Sequence, residues 1–289
     1  MNSQNKHNMI AFLGMGHLGA NFVKAMLAKG KQVNVWNRTF AKAQALEADG
    51  AKAYEQVADA VKGVKQIHLT LKDDASVDEI LAQASAGFGP GVIIIDHTTT
   101  STAGAEQRTR DWKAKGYTYL HAPVFMGPQN ARESTGLMLV SGDAKVIESV
   151  MPDLSAMTGK VMNFGTDTTK AAGIKLIGNL MLIAMTGGLS DALALARSTG
   201  ITVDEIATLF ETFNPGNTLQ ARLKKMTSNT FDQPTWELNM ARKDAGLMMK
   251  ETEGKHPLTV VPAVARVMDS YIAEGLGSKD WTVIAKENV

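Results

Sequence analysis

Cysteine is missing from the whole sequence. That excludes disulfides, a thiol nucleophile and thiolate metal sites, and it suits a reducing compartment, so a cytoplasmic location is expected. A strong net charge is missing too, since 30 basic residues face 29 acidic ones. No general attraction to nucleic acid or to an acidic membrane surface is expected. The opening stretch "MNSQNKHNMIAFLGMG" has no signal-peptide pattern. The six histidines show no paired ligand spacing, so no metal site is expected. A charge-free run of membrane length is absent as well. The charge-free stretch from Leu176 to Ser190 has only 15 residues and includes Asn179 and Thr186, against the about 20 apolar residues a span requires. It reads as a buried helix of a soluble protein.

What is present is a rhythm. Up to about residue 165, short β-type runs alternate with helical patterns: "MIAFL" (9–13), "QVNVW" (32–36), "VKQIHLTL" (64–71), "GVIIID" (91–96) and "YTYLH" (117–121). Such alternation predicts an α/β domain with a parallel-rich sheet and right-handed crossovers. After Gly165 the rhythm stops. Helical patterns follow over 168–198, 203–213, 218–227, 235–251 and 259–274. The expected organisation is a nucleotide-binding α/β domain over 1–165 and an all-helical domain for substrate binding and dimerisation over 166–289, entered by a long helix.

"MIAFL" runs into Gly14-Met15-Gly16-His17-Leu18-Gly19, a G-x-G-x-x-G pattern between a strand and a helix. In that setting the first glycine makes the tight turn. The second lets a pyrophosphate approach the backbone, and the third lets helix and strand pack closely. A dinucleotide cofactor is expected. At the end of the second strand stand Trp36, Asn37, Arg38 and Thr39. No carboxylate is there to repel a 2′-phosphate, and Arg38 can pair with one, so NADP(H) is expected over NAD(H). Further strand ends, "LTLKDD" (69–74) and "DHTTTS" (96–101), should border the same crevice. Leu71, Lys72 and Thr99 are candidate cofactor contacts there. Leu71 and Thr99 fit ordinary packing and capping equally well.

A nicotinamide carries hydride, so the protein must supply a proton. Lys175 stands early on the long helix, and Asn179 lies one turn on, on the same face. A lysine partly desolvated by apolar neighbours has a lowered pKa and can exchange a proton with a carbonyl oxygen. Spacing alone leaves a second reading open, in which Lys175 snorkels to solvent from an interface helix. His121, after a strand, is a further polar candidate.

In order, the segments "FLGMGHLGANF", "VWNRT", "DHTTTS", "HAPVFMGPQNARESTG", "GIKLIGN" and "ARKDAGLMMKE" resemble the β-hydroxyacid dehydrogenases, the family of 3-hydroxyisobutyrate dehydrogenases and glyoxylate/succinic semialdehyde reductases. The resemblance covers nearly the whole chain. It implies a Rossmann domain, a long inter-domain helix and a helical C-terminal domain that helps form homodimers or tetramers. It also implies that Lys175 is the catalytic lysine, that Asn179 contacts substrate, that Thr99 lies near the nicotinamide, and that Lys243 and Asp244 lie beside the cofactor. The substrate candidates are His121, Phe125, Met126, Gly127, Asn179, Trp236 and Asp244.

One departure stands out. Where that family usually reads Asp-Ala-Pro-Val-Ser-Gly-Gly, this chain has His121-Ala122-Pro123-Val124-Phe125-Met126-Gly127. Phe125 and Met126 remove a hydroxyl and add apolar bulk, which weakens the case for a small hydroxy acid and strengthens that for a less polar carbonyl compound or an imine. Amide donors from Gly127 or Gln129 would offset this. The related imine reductases share the architecture and NADPH use but usually lack the lysine. A cofactor-binding scaffold without turnover is the alternative from another class. The 6-phosphogluconate branch fits poorly, because the chain is short and Gly178 stands where that branch has a histidine.

Overall fold

The computed structural model describes residues 9–289. The first eight residues of the N-terminal stretch read for a signal peptide lie outside the described residues. The chain divides into two compact units, one ending at Asn179 and the other running from Leu180 to Val289.

In the first unit, β1 (Met9–Leu13), β2 (Gln32–Trp36), β3 (Lys52–Tyr54), β4 (Gln66–Leu69), β5 (Ile93–Asp96) and β6 (Thr118–His121) form one sheet. Its order is β3-β2-β1-β4-β5-β6, and every pairing is parallel. The intervening helices are α1 (His17–Ala28), α2 (Phe40–Gln44), α3 (Val57–Ala60), α4 (Asp74–Ala84) and α5 (Thr102–Ala114). Period-2 alternation sends β1 to both faces. Ile10 and Phe12 join Phe22, Val35 and Ile95 on one side, while Ala11 and Leu13 join Ile67, Leu81 and Ile94 on the other. Burial on both faces is why these strands read as unbroken apolar runs. The chain order reverses between β1 and β4, which places a crevice at their carboxyl ends, where such sheets bind ligands.

A second, three-stranded sheet was not legible beforehand. It comprises β7 (Val124–Phe125), β8 (Leu137–Val140) and β9 (Lys160–Asn163), with α6 (Pro128–Glu133) and α7 (Ala144–Met157) between them. Here β7 runs antiparallel to β8, and β9 parallel to it. It sets Phe125 at the end of a two-residue strand.

The long helix α8 spans Lys170–Thr199. Sequence rhythm ends at Gly165, but the compact first unit keeps the opening turns of α8. The reason is packing: Ala171 and Ala172 are buried, and the Ala171 N–H donates to Ser141 Oγ at 2.9 Å. Further along, the cover expected for this helix does not come from the described residues of its own chain. An 18-residue window of α8, with mean hydropathy 1.5, is only 11% buried. By length and composition alone it passes for a membrane span. Apolar composition records that a surface is to be covered; it does not say that the same chain covers it.

The second unit continues with α9 (Val203–Thr212), α10 (Leu219–Thr227), α11 (Leu238–Thr252) and α12 (Val260–Ala273), close to the expected spans. Thr202 and Glu205 form a reciprocal cap at the start of α9. The buried carboxylate of Asp191 accepts the Thr259, Val260 and Val261 N–H groups at 2.7–2.9 Å, closing the start of α12. Phe231, Leu238, Met268 and Tyr271 form the small core of this unit.

Candidate active site

The glycine-rich turn is built by two contacts that only glycine allows. Gly14 has φ +98°, and a Cβ there would lie 2.1 Å from the Thr70 carbonyl oxygen. A Cβ on Gly19 would lie 2.0 Å from the Gly14 carbonyl oxygen. The Gly14 N–H donates to the Trp36 carbonyl at 2.9 Å, and the Thr70 hydroxyl donates to the Gly14 carbonyl at 3.1 Å. Asn37 braces the same turn, accepting the Met15 N–H on Oδ1 at 2.9 Å.

Gly16 is different. Its φ of −75° suits any residue, and a Cβ there would meet no protein atom within 4 Å. Neither conformation nor packing requires glycine at this position. What a side chain would occupy is the space in front of the α1 N-terminus, whose amides receive no side-chain cap. That is the cradle a pyrophosphate needs: open backbone donors at the positive end of a helix dipole. The residues present therefore fit a dinucleotide.

A cavity of about 360 Å³ opens at this turn. It brings together Gly16, His17, Leu18 and Gly19 with Leu71, Lys72, Thr99, Met126 and Lys175. Gly14 and Met15 are buried behind it. Asn37, Arg38 and Thr39 stand at the end of β2, where the Arg38 side chain is 72% exposed and reaches Glu79 only at 3.9 Å.

Within the 96–101 segment expected at this crevice, three residues not singled out beforehand shape the wall. The Thr98 hydroxyl accepts the Leu71 N–H at 2.9 Å. The buried carboxylate of Asp96 accepts the Thr98 N–H at 2.8 Å and the Tyr119 hydroxyl at 2.7 Å. His97 also lines the cavity. The available signal was an acidic residue closing an otherwise apolar strand.

Lys175 is 8% exposed. Its ammonium donates to Asn179 Oδ1 at 2.9 Å and lies 4.1 Å from the centroid of the Phe125 ring. Among the described residues no carboxylate is within ion-pair distance of it. Burial lowers its pKa from the ordinary lysine value, because the charged form loses water.

The remaining candidates have these local surroundings. His121 is a correction: it is 2% exposed, and its Nε2 donates to the Thr98 carbonyl at 2.8 Å. The ring turns inward at the strand end, its Nδ1 has no partner among the described residues, and burial lowers its pKa. The Gly127 N–H, weighed as a donor for substrate, is taken by Asn130 Oδ1 at 2.9 Å within the cap of α6. Trp236, Lys243 and Asp244 belong to the second unit. There Trp236 packs edge-on against Trp281 at 5.5 Å, and the Lys243 ammonium pairs with Asp244 at 3.1 Å.

The fold, the glycine cradle and the buried amine define a dinucleotide-binding protein of the dehydrogenase class. Residues 9–165 match the NAD binding domain of 6-phosphogluconate dehydrogenase. The chain is 25% identical over 284 residues to 3-sulfolactaldehyde reductase of Escherichia coli, covering 96% of this chain and 95% of that protein. It is 26% identical over 298 residues to the mitochondrial 3-hydroxyisobutyrate dehydrogenase of Drosophila melanogaster, covering 98% and 90%. The fold is shared with an imine reductase from Myxococcus stipitatus in complex with NADP+ at TM-score 0.89 and 22% identity, over 96% of this chain and 99% of that one. The chain belongs to the family carrying this NAD-binding domain and is a β-hydroxyacid dehydrogenase-like oxidoreductase. The matched domain ends before Gly178, so it leaves the argument against the 6-phosphogluconate branch where it stood.

Proposed function

We propose that the chain is an NADP(H)-dependent reductase, reversible as a dehydrogenase, acting on a hydroxy acid, semialdehyde or related carbonyl compound, with Lys175 as general acid/base. The observation that carries this reading is the Lys175 ammonium: buried, without a carboxylate partner among the described residues, and lining the cavity of the glycine turn. A bound nicotinamide dinucleotide supplies the hydride in reduction. Lys175 gives its proton to the carbonyl oxygen as negative charge develops there, and takes it back from the hydroxyl in the reverse direction. Asn179 holds the amine. The α1 N-terminus and the Gly14–Gly19 turn hold the pyrophosphate, with Leu71, Lys72 and Thr99 along the same crevice.

Arg38 is the group proposed to select NADP(H). The Asn37 side chain is already committed to Met15 N–H and to the Thr39 carbonyl at 2.9 and 3.0 Å. That leaves the Arg38 guanidinium for a 2′-phosphate. The test is cofactor oxidation against a panel of semialdehydes, ketones and cyclic imines, run with NADPH and with NADH. Activity with NADPH on carbonyl compounds is expected. Arg38→Glu should cost roughly tenfold or more in kcat/KM for NADPH, about 1.4 kcal/mol or more, with little change for NADH. An unchanged preference would refute the assignment.

A second reading, imine reduction, draws on the apolar cover that Phe125 and Met126 lay over the site. Turnover of imines but not of carbonyl compounds in the same panel would favour it.

A second copy of the chain is the proposed cover for α8. Ile177, Leu180 and Ile183 are 60%, 62% and 73% exposed, and contiguous exposed apolar side chains of this kind mark interaction sites. Light scattering at micromolar concentration without detergent should give at least twice the chain mass. A monomer would contradict the dimer, and a requirement for detergent would point to a lipid-facing helix.

A further inference from the structure

Phe125 and Gly178 are matched to each other across 53 residues of sequence. A Cβ on Gly178 would lie 2.2 Å from Phe125 Cζ and 2.6 Å from its Cε1. The ring tip therefore sits in a notch that only glycine leaves open. From that seat the ring face meets the Lys175 ammonium at 4.1 Å. Lys175, Gly178 and Asn179 stand at i, i+3 and i+4 of α8, on one helical face. So "KLIGN" carries three linked functions: an amine, a notch for the ring that covers it, and an amide oxygen that accepts from it at 2.9 Å.

We infer that Phe125, seated on Gly178, is a positioning residue for the Lys175 ammonium: its ring face and the Asn179 oxygen hold two sides of the amine and leave a remaining N–H for the cavity. This rests on the reading of Lys175 as proton donor. An ammonium has three donors and no acceptor. One donor is used by Asn179, and the ring attracts the cation through its negative face. Both partners favour the protonated form, which burial disfavours. Phe125 thus keeps the amine charged and aimed in a site without a paired carboxylate.

The test compares pH profiles of carbonyl reduction. Ammonium is the active form, so the rate falls as pH rises through the pKa of the amine. Phe125→Leu keeps bulk and loses the ring face. Gly178→Ala keeps the ring and pushes it off its seat. Each is expected to move the alkaline limb of kcat down by about 0.5–1 pH unit, the shift that a partly desolvated cation–π contact implies. KM for the cofactor should stay the same. In the Phe125→Leu background, Gly178→Ala should add much less than it does alone. If Phe125→Leu fails to fold, Gly178→Ala still decides the matter by the same limb. An unmoved limb in the variants that fold, or fully additive effects, would overturn the inference. Lys175→Met, run beside them, separates the two levels. If it stays active, the proton-donor reading and this inference fall together. If it is inactive while the limb stays put, this inference alone fails.

Discussion

Lys175→Met should lower kcat by about 10²–10⁴, the range general acid–base groups supply, and leave the protein at least as stable as before. The two halves of this result come from one feature. An ammonium at 8% exposure with no anionic partner among the described residues is held at a cost in solvation. Methionine fills nearly the same volume, rests comfortably against the Phe125 ring and removes that cost. A residue kept for packing would show the opposite pattern: little loss of rate, with any effect falling on the melting temperature. The pH profile adds a third readout. Burial lowers the amine's pKa, so the wild-type reduction rate should fall at a pH below the ordinary lysine range, and that limb should vanish in the variant. Titration of cofactor fluorescence should show unchanged binding, because the pyrophosphate cradle lies on another element. A variant retaining more than about a tenth of wild-type kcat would remove Lys175 from the chemistry.

Why was that amine visible in the sequence while its aromatic cover was not? Lys175 and Asn179 are neighbours by helix periodicity alone, so one turn of spacing sufficed to pair them. Gly14, Gly16 and Gly19 were equally legible, because their constraints are local to one strand, one turn and one helix. Phe125 reaches Lys175 only through β7, a two-residue strand. Its place depends on β8, with which it pairs, and no periodicity exists in two residues. β3, β8 and β9 escaped for a related reason: three or four residues, defined by their partners. His121 shows a different limit. Its position at a strand end was clear, but whether the ring turns toward the crevice or into the core depends on Thr98 and Thr100, which accept it. The long helix is legible at nearly its true length, 168–198 against Lys170–Thr199, but hydropathy speaks of cover and not of its source.

Acid should loosen the nucleotide-binding domain well before its carboxylates protonate. His68 and His97 are buried, with ring centroids 5.3 Å apart and packed near Phe12 and Phe22. His97 Nδ1 donates to the Ala122 carbonyl at 2.8 Å. Its Nε2 then accepts from His68 Nδ1 at 3.0 Å, and both rings are neutral. Burial drives this. It pushes His97 down to about 4, against the pull of the Ala122 carbonyl and the Asp96 charge. His68 is held well below the ordinary value by burial, by His97 and by Lys31, and His121 is lowered by burial too. In the unfolded chain each histidine titrates near 6.5. Between that value and the folded one the unfolded state binds more protons, so stability rises with pH. It is intact above about pH 7 and is lost as pH falls toward about 4. For His97 alone the shift corresponds to about 3 kcal/mol across that window. The lowered carboxylates, Asp74 and Asp280 among them, act in the same direction but only around and below their ordinary value of 3.8. Urea unfolding at pH 7.5 and pH 4.5 should therefore show a large drop in midpoint. In His68→Gln/His97→Gln that drop should shrink to the share of His121. One contact argues the other way: His68 Nε2 faces Gln66 Oε1 at 3.3 Å, which a proton shared over the pair would satisfy. It is the longest of the three contacts in this relay, and a buried cation there would cost more than that bond returns. A wild-type midpoint that stays level from pH 7.5 to 4.5 would show that the pair already holds that extra proton at neutral pH.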